Sequence, residues 1–320
     1  MNKSNKIYLA GHRGMVGSTI VKNLKANGYT NLITATSSDL DLKNQKATNE
    51  FIKAQKPDVV IIAAARVGGI LANNEYPWQF LYDNLMIEAN LINASHQNDV
   101  QNLIFLGSSC IYPKSAAQPL NEEYLLTGPL EPTNEWYAIA KIAGIKLCQA
   151  LNHQYGRNYI SLMPTNLYGP SDNFDLKTSH VLPAMIRKFH DAKLNNHASV
   201  HLWGSGSPMR EFLHVEDLAE AVRFTLEIKK KDLPDLLNVG TGKDITIKEL
   251  ANTIKHVTGH EGDIHWDASK PDGTPRKLMD VTLMNNLGYK YKIELEDGIR
   301  QTYDWFLQNV DNIKEVQMKN

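Results

Sequence analysis

The chain has 320 residues, of which 42% are hydrophobic and 22% charged, and its formal net charge at pH 7 is -1. This length is enough for about two domains with a large core, and the composition argues against disordered and fibrous classes. The near balance of 34 basic and 35 acidic residues gives no electrostatic footprint for nucleic acid or a membrane surface.

The N-terminal segment and the cysteines bear on where the protein works. The apolar stretch in MNKSNKIYLAGH is too short for a signal peptide, and no stretch approaches the roughly 20 apolar residues of a membrane span. Cys110 and Cys148 are too few for a disulfide framework, and without a Cys/His cluster no structural zinc site is expected. We therefore expect a cytoplasmic protein with free thiols and no metal.

Short apolar runs alternate with segments of helical spacing along the first half of the chain. The runs KIYLAG, NLITAT, DVVIIAAA, NLIFLG and YISLMP lack polar alternation, which is typical of strands buried on both faces of a parallel sheet. Helical spacing follows the first run at Val16, Ile20 and Leu24. This alternation predicts βαβ units and an α/β fold with a Rossmann-type doubly wound parallel sheet.

The loop AGHRGMVG follows the first predicted strand and opens a helix. Gly11 is expected to permit the tight turn, Gly14 to let the backbone approach a pyrophosphate, and Gly17 to let helix and strand pack closely. The helix N-terminus offers free N–H groups and a positive dipole end to phosphates. The loop therefore predicts dinucleotide binding, and its spacing resembles that of the extended short-chain dehydrogenase/reductases.

The end of the second predicted strand indicates which dinucleotide binds. NAD-preferring sites place an acid there for the ribose 2′-hydroxyl, whereas this chain has ATSSD, with Thr36, Ser37 and Ser38 before any acid. Arg13 is suited to meet a 2′-phosphate, so NADP(H) is favoured, although an ordinary exposed arginine is the alternative. His12 is expected to have no role.

Beyond about Thr165 the alternation gives way to loops rich in Gly, Pro, Asn and Asp. A smaller, interleaved C-terminal substrate-binding subdomain is predicted from residues 167–211 and 241–320. The dinucleotide domain then comprises 1–166 and a return segment of about 212–240. Within these segments HVEDLAEAVRFTLEI predicts an amphipathic helix, and TIKE at 246–249 predicts a capping box.

Tyr137 and Lys141 lie four residues apart in EWYAIAKIAGIKL, on one face of a predicted helix. A tyrosine, with an ordinary pKa of about 10, needs nearby positive charge to transfer protons at neutral pH. Ser108 follows the fourth apolar run, at the strand end where parallel sheets bind ligands. The three residues resemble the superfamily's proton-transfer triad, in which the tyrosine protonates a ketone oxygen that the serine holds. A solvated helix pair is the alternative for Tyr137 and Lys141.

Segments from about Lys6 to Phe306 resemble the GDP-L-fucose synthase family of extended members. They are AGHRGMVGS, AAARVGGI, NLIFLGSSCIYP, EPTNEWYAIAKIAGIKLC, MPTNLYGP, WGSGSPMREFLHVEDLA, LNVGTG and DASKPDGTPRKLMDV. The resemblance implies NADPH-dependent 3,5-epimerisation and 4-reduction of GDP-4-keto-6-deoxy-D-mannose, which yields GDP-L-fucose.

The resemblance also implies roles for Cys110 as base and His180 as acid in the two epimerisations. Tyr137 and Ser108 would stabilise the enediolate oxygen. The alternatives are a buried structural cysteine and a histidine that merely starts a helix. Ser108 and Cys110 would point the same way if the extended conformation continued past Gly107. Ser109 has no assigned role.

The binding residues implied by the resemblance fall into two sets. Those for the cofactor are Gly11, Arg13, Gly14, Met15, Val16, Gly17, Asp41, Leu42, Leu106, Gly107, Lys141, Pro164, Asn166, Leu167 and His180. Those for the substrate are Lys188, Trp203, Arg210 and Asp272. The chain departs from the family pattern at Lys188, where many members have arginine, and at Ser37, where some relatives have an arginine for the 2′-phosphate.

Other functions are consistent with the same scaffold. A UDP-sugar 4-epimerase or a sugar 4,6-dehydratase is one alternative, and a non-catalytic NADP-binding regulator is another. Dehydratases of the superfamily carry an acid beside the strand-end Ser/Thr, where this chain has Ser109 and Cys110. A regulator commonly lacks the tyrosine or lysine that this chain retains. By analogy with extended members, a homodimer is expected.

Overall fold

The computed structural model describes residues 2–229, 232–270 and 272–313. In chain order its strands are β1 (Ile7–Ala10), β2 (Leu32–Ile33), β3 (Val59–Ile62), β4 (Asn102–Leu106), β5 (Asn158–Pro164), β6 (Asn166–Tyr168), β7 (Ser199–Trp203), β8 (Met209–His214), β9 (Leu236–Val239), β10 (Asp244–Thr246), β11 (Asp263–Asp267) and β12 (Arg276–Lys277). Its α-helices are α1 (Met15–Ala26), α2 (Gln45–Gln55), α3 (Ile70–Glu75), α4 (Pro77–Gln97), α5 (Glu135–Tyr155), α6 (Val181–Leu194), α7 (Val215–Glu227), α8 (Ile247–Thr258), α9 (Thr282–Asn286) and α10 (Leu295–Asn309).

Six strands form a parallel sheet in the order β2-β1-β3-β4-β5-β9. Every residue of β1, β3 and β9 is buried, because helices cover both faces of the sheet. The prediction of a doubly wound parallel sheet is confirmed. The run NLITAT contributes only the two residues of β2, because the chain then turns at Thr36, whose hydroxyl donates to Asp39.

Helices α4 and α5 pack together on one face of the sheet, and α1 and α7 pack together on the other. The first core includes Leu91 and Ile145 with Phe105 of the sheet, and the second includes Leu24 and Val222. Helix periodicity thus places the apolar stripes against the strands, as the spacing predicts. The carboxyl ends of the strands remain uncovered by these helices and form one edge.

A third core joins α6, α8 and α10 through Phe189, Ile254 and Phe306. Around it lie a small sheet of β10, β8 and β12, with β6 paired to β8, and a parallel pair of β7 and β11. Strand β8 connects the two units, because Phe212 enters the third core and Leu213 enters the core beneath α1 and α7. The two parts of the chain are therefore interleaved.

The predicted helix after His214 and the predicted capping box are both confirmed. Helix α7 covers Val215–Glu227. At the start of α8 the Thr246 hydroxyl accepts from the Glu249 N–H at 3.0 Å, and Glu249 accepts from the Thr246 N–H at 2.7 Å. Residues 1, 230–231, 271 and 314–320 of the predicted domains lie outside the described residues.

Across the described parts of the chain, none of the helices combines the length and apolarity needed to cross a bilayer.

Candidate active site

The glycine loop joins β1 to α1 at the uncovered edge of the sheet. Gly11 has φ +89°, and a Cβ there would lie 2.6 Å from the Ala64 amide nitrogen, so a side chain is excluded. A Cβ on Gly17 would collide with the Gly11 carbonyl, whereas one on Gly14 would meet only that carbonyl, at 3.6 Å. The loop therefore packs tightly against β3 and leaves Gly14 open to a ligand.

The N-terminus of α1 is suited to a pyrophosphate. Its N-cap is Gly14, and among the described residues no side chain caps its first N–H groups. Met15 and Val16 begin the helix, and the first turn contains no acid. Free backbone donors and the positive dipole end favour an anion here, so the residues present fit a dinucleotide.

The end of β2 forms a polar turn beside the glycine loop. The Asp39 carboxylate accepts from the Thr36 N–H at 3.1 Å and from the Thr36 hydroxyl at 2.6 Å. These bonds lower the pKa of Asp39, and the nearby charges of Arg13 and His12 lower it further. Arg13 is exposed. Its effect on the pKa of Asp39 puts it within electrostatic reach of the turn where a 2′-phosphate is expected.

The next predicted cofactor residues lie in a turn before α2. Asp41 accepts from the Lys43 N–H at 3.0 Å, and Leu42 packs against the core beneath α4 and α5. The buried Asn90 side chain donates to the Leu42 carbonyl at 2.9 Å. The turn is thus held in place by α4.

Five more of the predicted cofactor residues lie at the carboxyl ends of β4 and β5 or just beyond: Leu106, Gly107, Pro164, Asn166 and Leu167. The Gly107 N–H donates to the Leu162 carbonyl at 2.9 Å, and Asn166 donates to the Glu211 carbonyl at 2.8 Å. All of these positions therefore share the edge of the sheet with the glycine loop.

The SSCIY segment does not continue β4. Ser108 is extended, but Ser109–Ile111 form one turn of 3₁₀-helix, so alternation along a strand does not place Cys110. Instead the Ser108 hydroxyl accepts from the Cys110 N–H at 3.4 Å and caps the turn. The expected proximity of Ser108 and Cys110 is thus produced by a helical turn, because the capping bond folds the chain back. Ser109 points into the protein and is 4% exposed.

Tyr137 and Lys141 project from one face of α5, as the spacing predicts. The half-buried Tyr137 ring lies 5.6 Å from the Lys141 Nζ and packs edge-on against Phe80. Lys141 is buried, donates to the Leu106 carbonyl at 3.1 Å and forms an ion pair of 2.7 Å with Glu88. The carbonyl that accepts from Lys141 immediately precedes Gly107 and Ser108, so the triad converges at the end of β4.

Burial is the largest cause of the pKa shifts of Tyr137 and Cys110, the two neighbouring groups predicted to transfer protons. Burial raises the pKa of Tyr137 well above its ordinary value, and the charges of Cys110 and Glu88 raise it further. Burial also raises the pKa of the Cys110 thiol, while Lys277, a hydrogen bond with Ser108 and Lys141 counteract it. The raised pKa values favour the protonated forms of both groups.

His180 is brought to the site by a glycine in the loop after β3. It is the N-cap of α6, and the preceding loop packs on Gly69, whose N–H donates to the Thr178 carbonyl at 3.0 Å. A Cβ on Gly69 would lie 2.8 Å from the Ser179 carbonyl. The surrounding protein and then the charge of Lys277 lower the pKa of the solvent-accessible His180. His180 therefore starts a helix and, like Cys110, lies within electrostatic reach of Lys277.

Three of the four predicted substrate residues, Lys188, Trp203 and Asp272, lie on one polar surface. Lys188 Nζ lies 6.0 Å from the ring of Trp203, which is 59% exposed, and donates to the His201 carbonyl at 3.3 Å. Asp272 accepts from the Ser205 N–H at 2.9 Å, just beyond the end of β7. A second ammonium, Lys270 Nζ, lies 5.6 Å from the centre of the Trp203 ring.

Arg210 reaches this surface at Gly273, the residue after Asp272. A Cβ on Gly273 would lie 3.0 Å from the Arg210 Nη2, and Arg210 pairs in register with Lys277 across β8 and β12. Burial lowers the pKa of both Arg210 and Lys277. Lys188, Trp203, Arg210 and Asp272 are thus brought together, with two further cations beside them.

Glu88, Gly69 and Lys277 were missed by the sequence reasoning. Gly69 and Lys277 lie in AAARVGGI and SKPDGTPRK, segments that it quoted without giving those residues a role. Glu88 had one available signal, an acid within the apolar face that places Leu91 and Ile92 against the sheet. A charge on a buried face indicates a buried partner.

The parallel sheet with a glycine loop at its open edge defines the class of Rossmann-type dinucleotide-binding proteins. A model described as the NAD dependent epimerase/dehydratase family matches residues 7–240. The chain belongs to that family.

Curated and solved relatives cover nearly all of the chain. It is 55% identical over 311 residues to GDP-L-fucose synthase 1 of Arabidopsis thaliana, covering 97% of this chain and 96% of the relative. Identity to the GDP-L-fucose synthase of Escherichia coli (strain K12) is 54% over 316 residues, covering 97% and 98%. A solved GDP-mannoheptose C4 reductase from Campylobacter jejuni with NADP bound is 41% identical, with TM-score 0.88 and coverage of 96% and 99%.

Proposed function

We propose that this chain is an NADPH-dependent enzyme that epimerises GDP-4-keto-6-deoxy-D-mannose at C3 and C5 and reduces its C4 carbonyl, giving GDP-L-fucose. One observation carries the proposal. The Ser108 hydroxyl lies within hydrogen-bonding reach of the Cys110 thiol, and a negative charge on Cys110 would raise the pKa of Tyr137, so the proposed reductase triad and a thiol lie together. Curated GDP-L-fucose synthases at 54% and 55% identity support it.

The glycine loop and α1 N-terminus are proposed to hold the pyrophosphate of the cofactor, and Arg13 its 2′-phosphate. The Campylobacter reductase, which is described with NADP bound, supports this choice. When bound, NADPH supplies the hydride for C4. The strand-end residues Leu106, Gly107, Pro164, Asn166 and Leu167, with His180, would line the nicotinamide side.

Reduction is proposed to use Tyr137 as the proton donor to the C4 oxygen. Ser108 donates a hydrogen bond to that oxygen and orients the ketone. Lys141 stabilises the phenolate that forms, because its ammonium lies 5.6 Å from the Tyr137 ring. The raised pKa of Tyr137 keeps the phenol protonated, as a proton donor must be before the ketone arrives.

Epimerisation is proposed to use Cys110 as base and His180 as acid. The 4-ketone acidifies the hydrogens on C3 and C5, and inversion requires removal from one ring face and delivery to the other. The raised pKa of the thiol and the lowered pKa of the imidazole favour the neutral form of both groups. The thiolate–imidazolium form contains the same number of protons, and Lys277 and Ser108 are the main groups that favour the thiolate.

The GDP moiety is proposed to bind between the cations of the smaller unit. Arg210 is suited to bidentate contact with a diphosphate, and Lys188 adds a second positive charge. The exposed Trp203 ring offers a stacking surface, and Asp272 is already oriented by Ser205. These residues place the sugar toward Cys110 and His180.

One assay tests the proposed function. Purified protein is mixed with NADPH and GDP-4-keto-6-deoxy-D-mannose, and loss of reduced-nicotinamide absorbance is followed while the product's stereochemistry is determined. We expect stoichiometric NADPH oxidation and a product inverted at C3 and C5. An absence of NADPH consumption would overturn the proposal, as would an unchanged sugar with no net oxidation, the result expected of a 4-epimerase.

A second candidate is a C4 reductase that does not epimerise. The Campylobacter relative is described as a C4 reductase, and the raised pKa of Cys110 favours a neutral thiol. Running the same assay in deuterium oxide separates the two functions. Deuterium at C3 and C5 supports the epimerase, whereas NADPH oxidation without deuterium at either carbon supports the simple reductase.

The enzyme is further proposed to act in the cytoplasm as a homodimer. Helices α4 and α5 pack together and leave apolar side chains exposed, with Trp78 and Tyr82 on α4 and Ile139 and Leu147 on α5. Such a surface is suited to a second copy of the same helix pair. Sedimentation should give about 72 kDa for the dimer, twice the 36.0 kDa of one chain, and replacing Ile139 and Leu147 with lysine should give monomers.

A further inference from the structure

Glu88 is a buried acid within reach of the reductase triad, and the reaction outlined above gives it no part. It lies on α4 and is 1% exposed. Its Oε1 is 2.7 Å from Lys141 Nζ, and in the described parts of the chain no hydrogen-bond donor other than that ammonium reaches either carboxylate oxygen. The contact therefore directs Oε1 of the carboxylate at the lysine of the triad.

The surroundings show that room for this carboxylate is made by the neighbouring helix. A Cβ on Gly144 of α5 would lie 3.0 Å from Glu88 Oε2 and 2.5 Å from the Phe105 ring. The same Phe105 ring lies 4.7 Å from Lys141 Nζ. A glycine on α5 and an aromatic ring of β4 thus form the pocket in which the two charges meet.

The ammonium is held in place by contacts from two neighbouring elements. Lys141 on α5 is bound by Glu88 from α4 and by the Leu106 carbonyl from β4. A buried ammonium with only a carbonyl and aromatic rings around it would be poorly solvated, so the carboxylate compensates for lost water. Burial raises the pKa of Glu88, and Lys141 counteracts this by lowering it.

We propose that Glu88 is a positioning residue for the reduction, whose carboxylate holds the Lys141 ammonium beside Tyr137 and balances its charge. The inference rests on the proposed function, because it assigns Glu88 a part in the same proton transfer. Glu88 acts through Lys141 and through the electrostatic field at Tyr137, without touching the sugar.

The groups that face Tyr137 determine the sign of the expected effect. They are Glu88 from α4, Lys141 from α5 and Cys110 from the turn after β4, with Lys277 reaching Cys110 from β12. The negative charge of Glu88 raises the pKa of Tyr137, so removing it lowers that pKa. Tyr137 must be protonated to act as the acid, so reduction would be lost at a lower pH.

The test is the pH profile of reduction by Glu88→Gln, measured on the doubly epimerised ketone so that epimerisation does not limit the rate. We expect the alkaline limb to move down by about one pH unit relative to the wild type. Glu88→Asp retains the negative charge but places it farther from Lys141 Nζ. The alkaline limb should therefore stay in place, while kcat falls roughly tenfold because Lys141 is less well positioned. An unmoved limb in folded Glu88→Gln would overturn the proposal.

The ultraviolet absorbance of the phenolate gives a second readout that needs no substrate. The difference between each protein and its Tyr137→Phe partner isolates the titration of Tyr137, which should occur at lower pH in Glu88→Gln. Together with the NADPH assay, this readout separates the proposed function from the proposed role of Glu88. A wild-type protein that fails to oxidise NADPH refutes only the proposed function. An unchanged titration refutes the role of Glu88 alone.

Glu122→Gln is the matched control. Glu122 is also a buried carboxylate, but it accepts from the Asn238 N–H at 2.8 Å. Its replacement should lower the melting temperature and leave the alkaline limb unmoved. If Glu88→Gln does not fold, Glu88→Asp decides the question. A lower melting temperature with wild-type kcat would then show a purely structural role and overturn the proposal.

Discussion

The two proton-transfer regions of the site are built in different ways. Tyr137 and Lys141 belong to one helix, and the charge of Lys141 is balanced inside the dinucleotide-binding unit by Glu88. Cys110 and His180 come from a 3₁₀ turn after β4 and from the start of α6, on opposite sides of the boundary between the cores. The first region is set by local spacing and a buried ion pair, whereas the second depends on how the units pack.

Their electrostatics differ as well. Lys141 has a carboxylate 2.7 Å away, whereas Cys110 and His180 share Lys277 as a nearby cation and have no such anion among the causes that shift their pKa values. A buried ion pair fixes a charge in place, while a neutral thiol and a neutral imidazole can exchange one proton. The comparison teaches that the reductase region is organised in advance and the epimerase region is adjustable.

The largest expected effect is on the first region. Tyr137→Phe removes the proton donor and should slow reduction of the doubly epimerised ketone by about 10² to 10⁴-fold. NADPH affinity, measured by fluorescence titration, should be unchanged because the phenol contributes no phosphate contact. Tyr112→Phe is the control, since its hydroxyl bonds Asn238 in the core, and it should keep wild-type reduction. Equal losses in both variants would refute the assignment.

The second prediction distinguishes the role of Cys110 from that of His180. With Cys110 as base, Cys110→Ser should reduce entry of solvent deuterium at C3 and C5 by about 10²-fold or more, while NADPH affinity stays intact. His180→Asn should retain exchange but lose inversion, because the base returns deuterium to the face from which it removed the proton. The reverse pattern would make His180 the base.

Cys148→Ser is the control for this pair. Cys148 is fully buried on α5, and burial alone dominates the rise of its pKa. Its replacement should leave deuterium exchange at the wild-type rate. A loss of exchange comparable to that of Cys110→Ser would show that thiol packing, rather than proton transfer, accounts for the effect.

The third prediction concerns the cation that the pair shares. Lys277→Met removes the main positive charge that lowers the pKa of Cys110, so that pKa should rise further. With the Cys110 thiolate as the base, the acid limb of deuterium exchange should move up by about one pH unit, roughly a tenfold change in rate at a fixed pH below it. The pH profile of exchange at saturating substrate measures this shift.

Lys243→Met is matched to this variant. Lys243 belongs to the same smaller unit and is exposed, with its ammonium 3.5 Å from Glu294. Its removal should leave the acid limb of exchange where it is. A shift of similar size in both variants would indicate a general effect of net charge and would remove Lys277 from the site.

The smallest effect separates folding from chemistry. Thr246→Ala removes one half of the capping box of α8 and should lower the free energy of unfolding by about 1 kcal/mol. Both reduction and exchange should remain at wild-type rates, because α8 contributes to the third core and to neither proton-transfer region. Thr253→Ala, inside the same helix, should change stability by only a few tenths of a kcal/mol, as denaturant unfolding would show.

Features with local causes were predictable from the sequence. Buried strands appear as continuous apolar runs, a tight turn requires Gly11, and a spacing of four residues places Tyr137 and Lys141 on one helix face. The capping box was predictable for the same reason, since its two hydrogen bonds join Thr246 and Glu249. Each depends on residues within one or two turns of each other.

Tertiary structure alone decided the rest of the site. A 3₁₀ turn places Cys110 beside Ser108, Gly69 packs His180 toward the sheet edge, and Glu88 meets Lys141 across two helices. These contacts join residues far apart in the chain or depend on how a turn packs, so residue spacing carries no record of them. The sequence by itself determined which strands, helices and turns form and which chemical groups are available. Packing decided which of those groups face one another and what charge surrounds them.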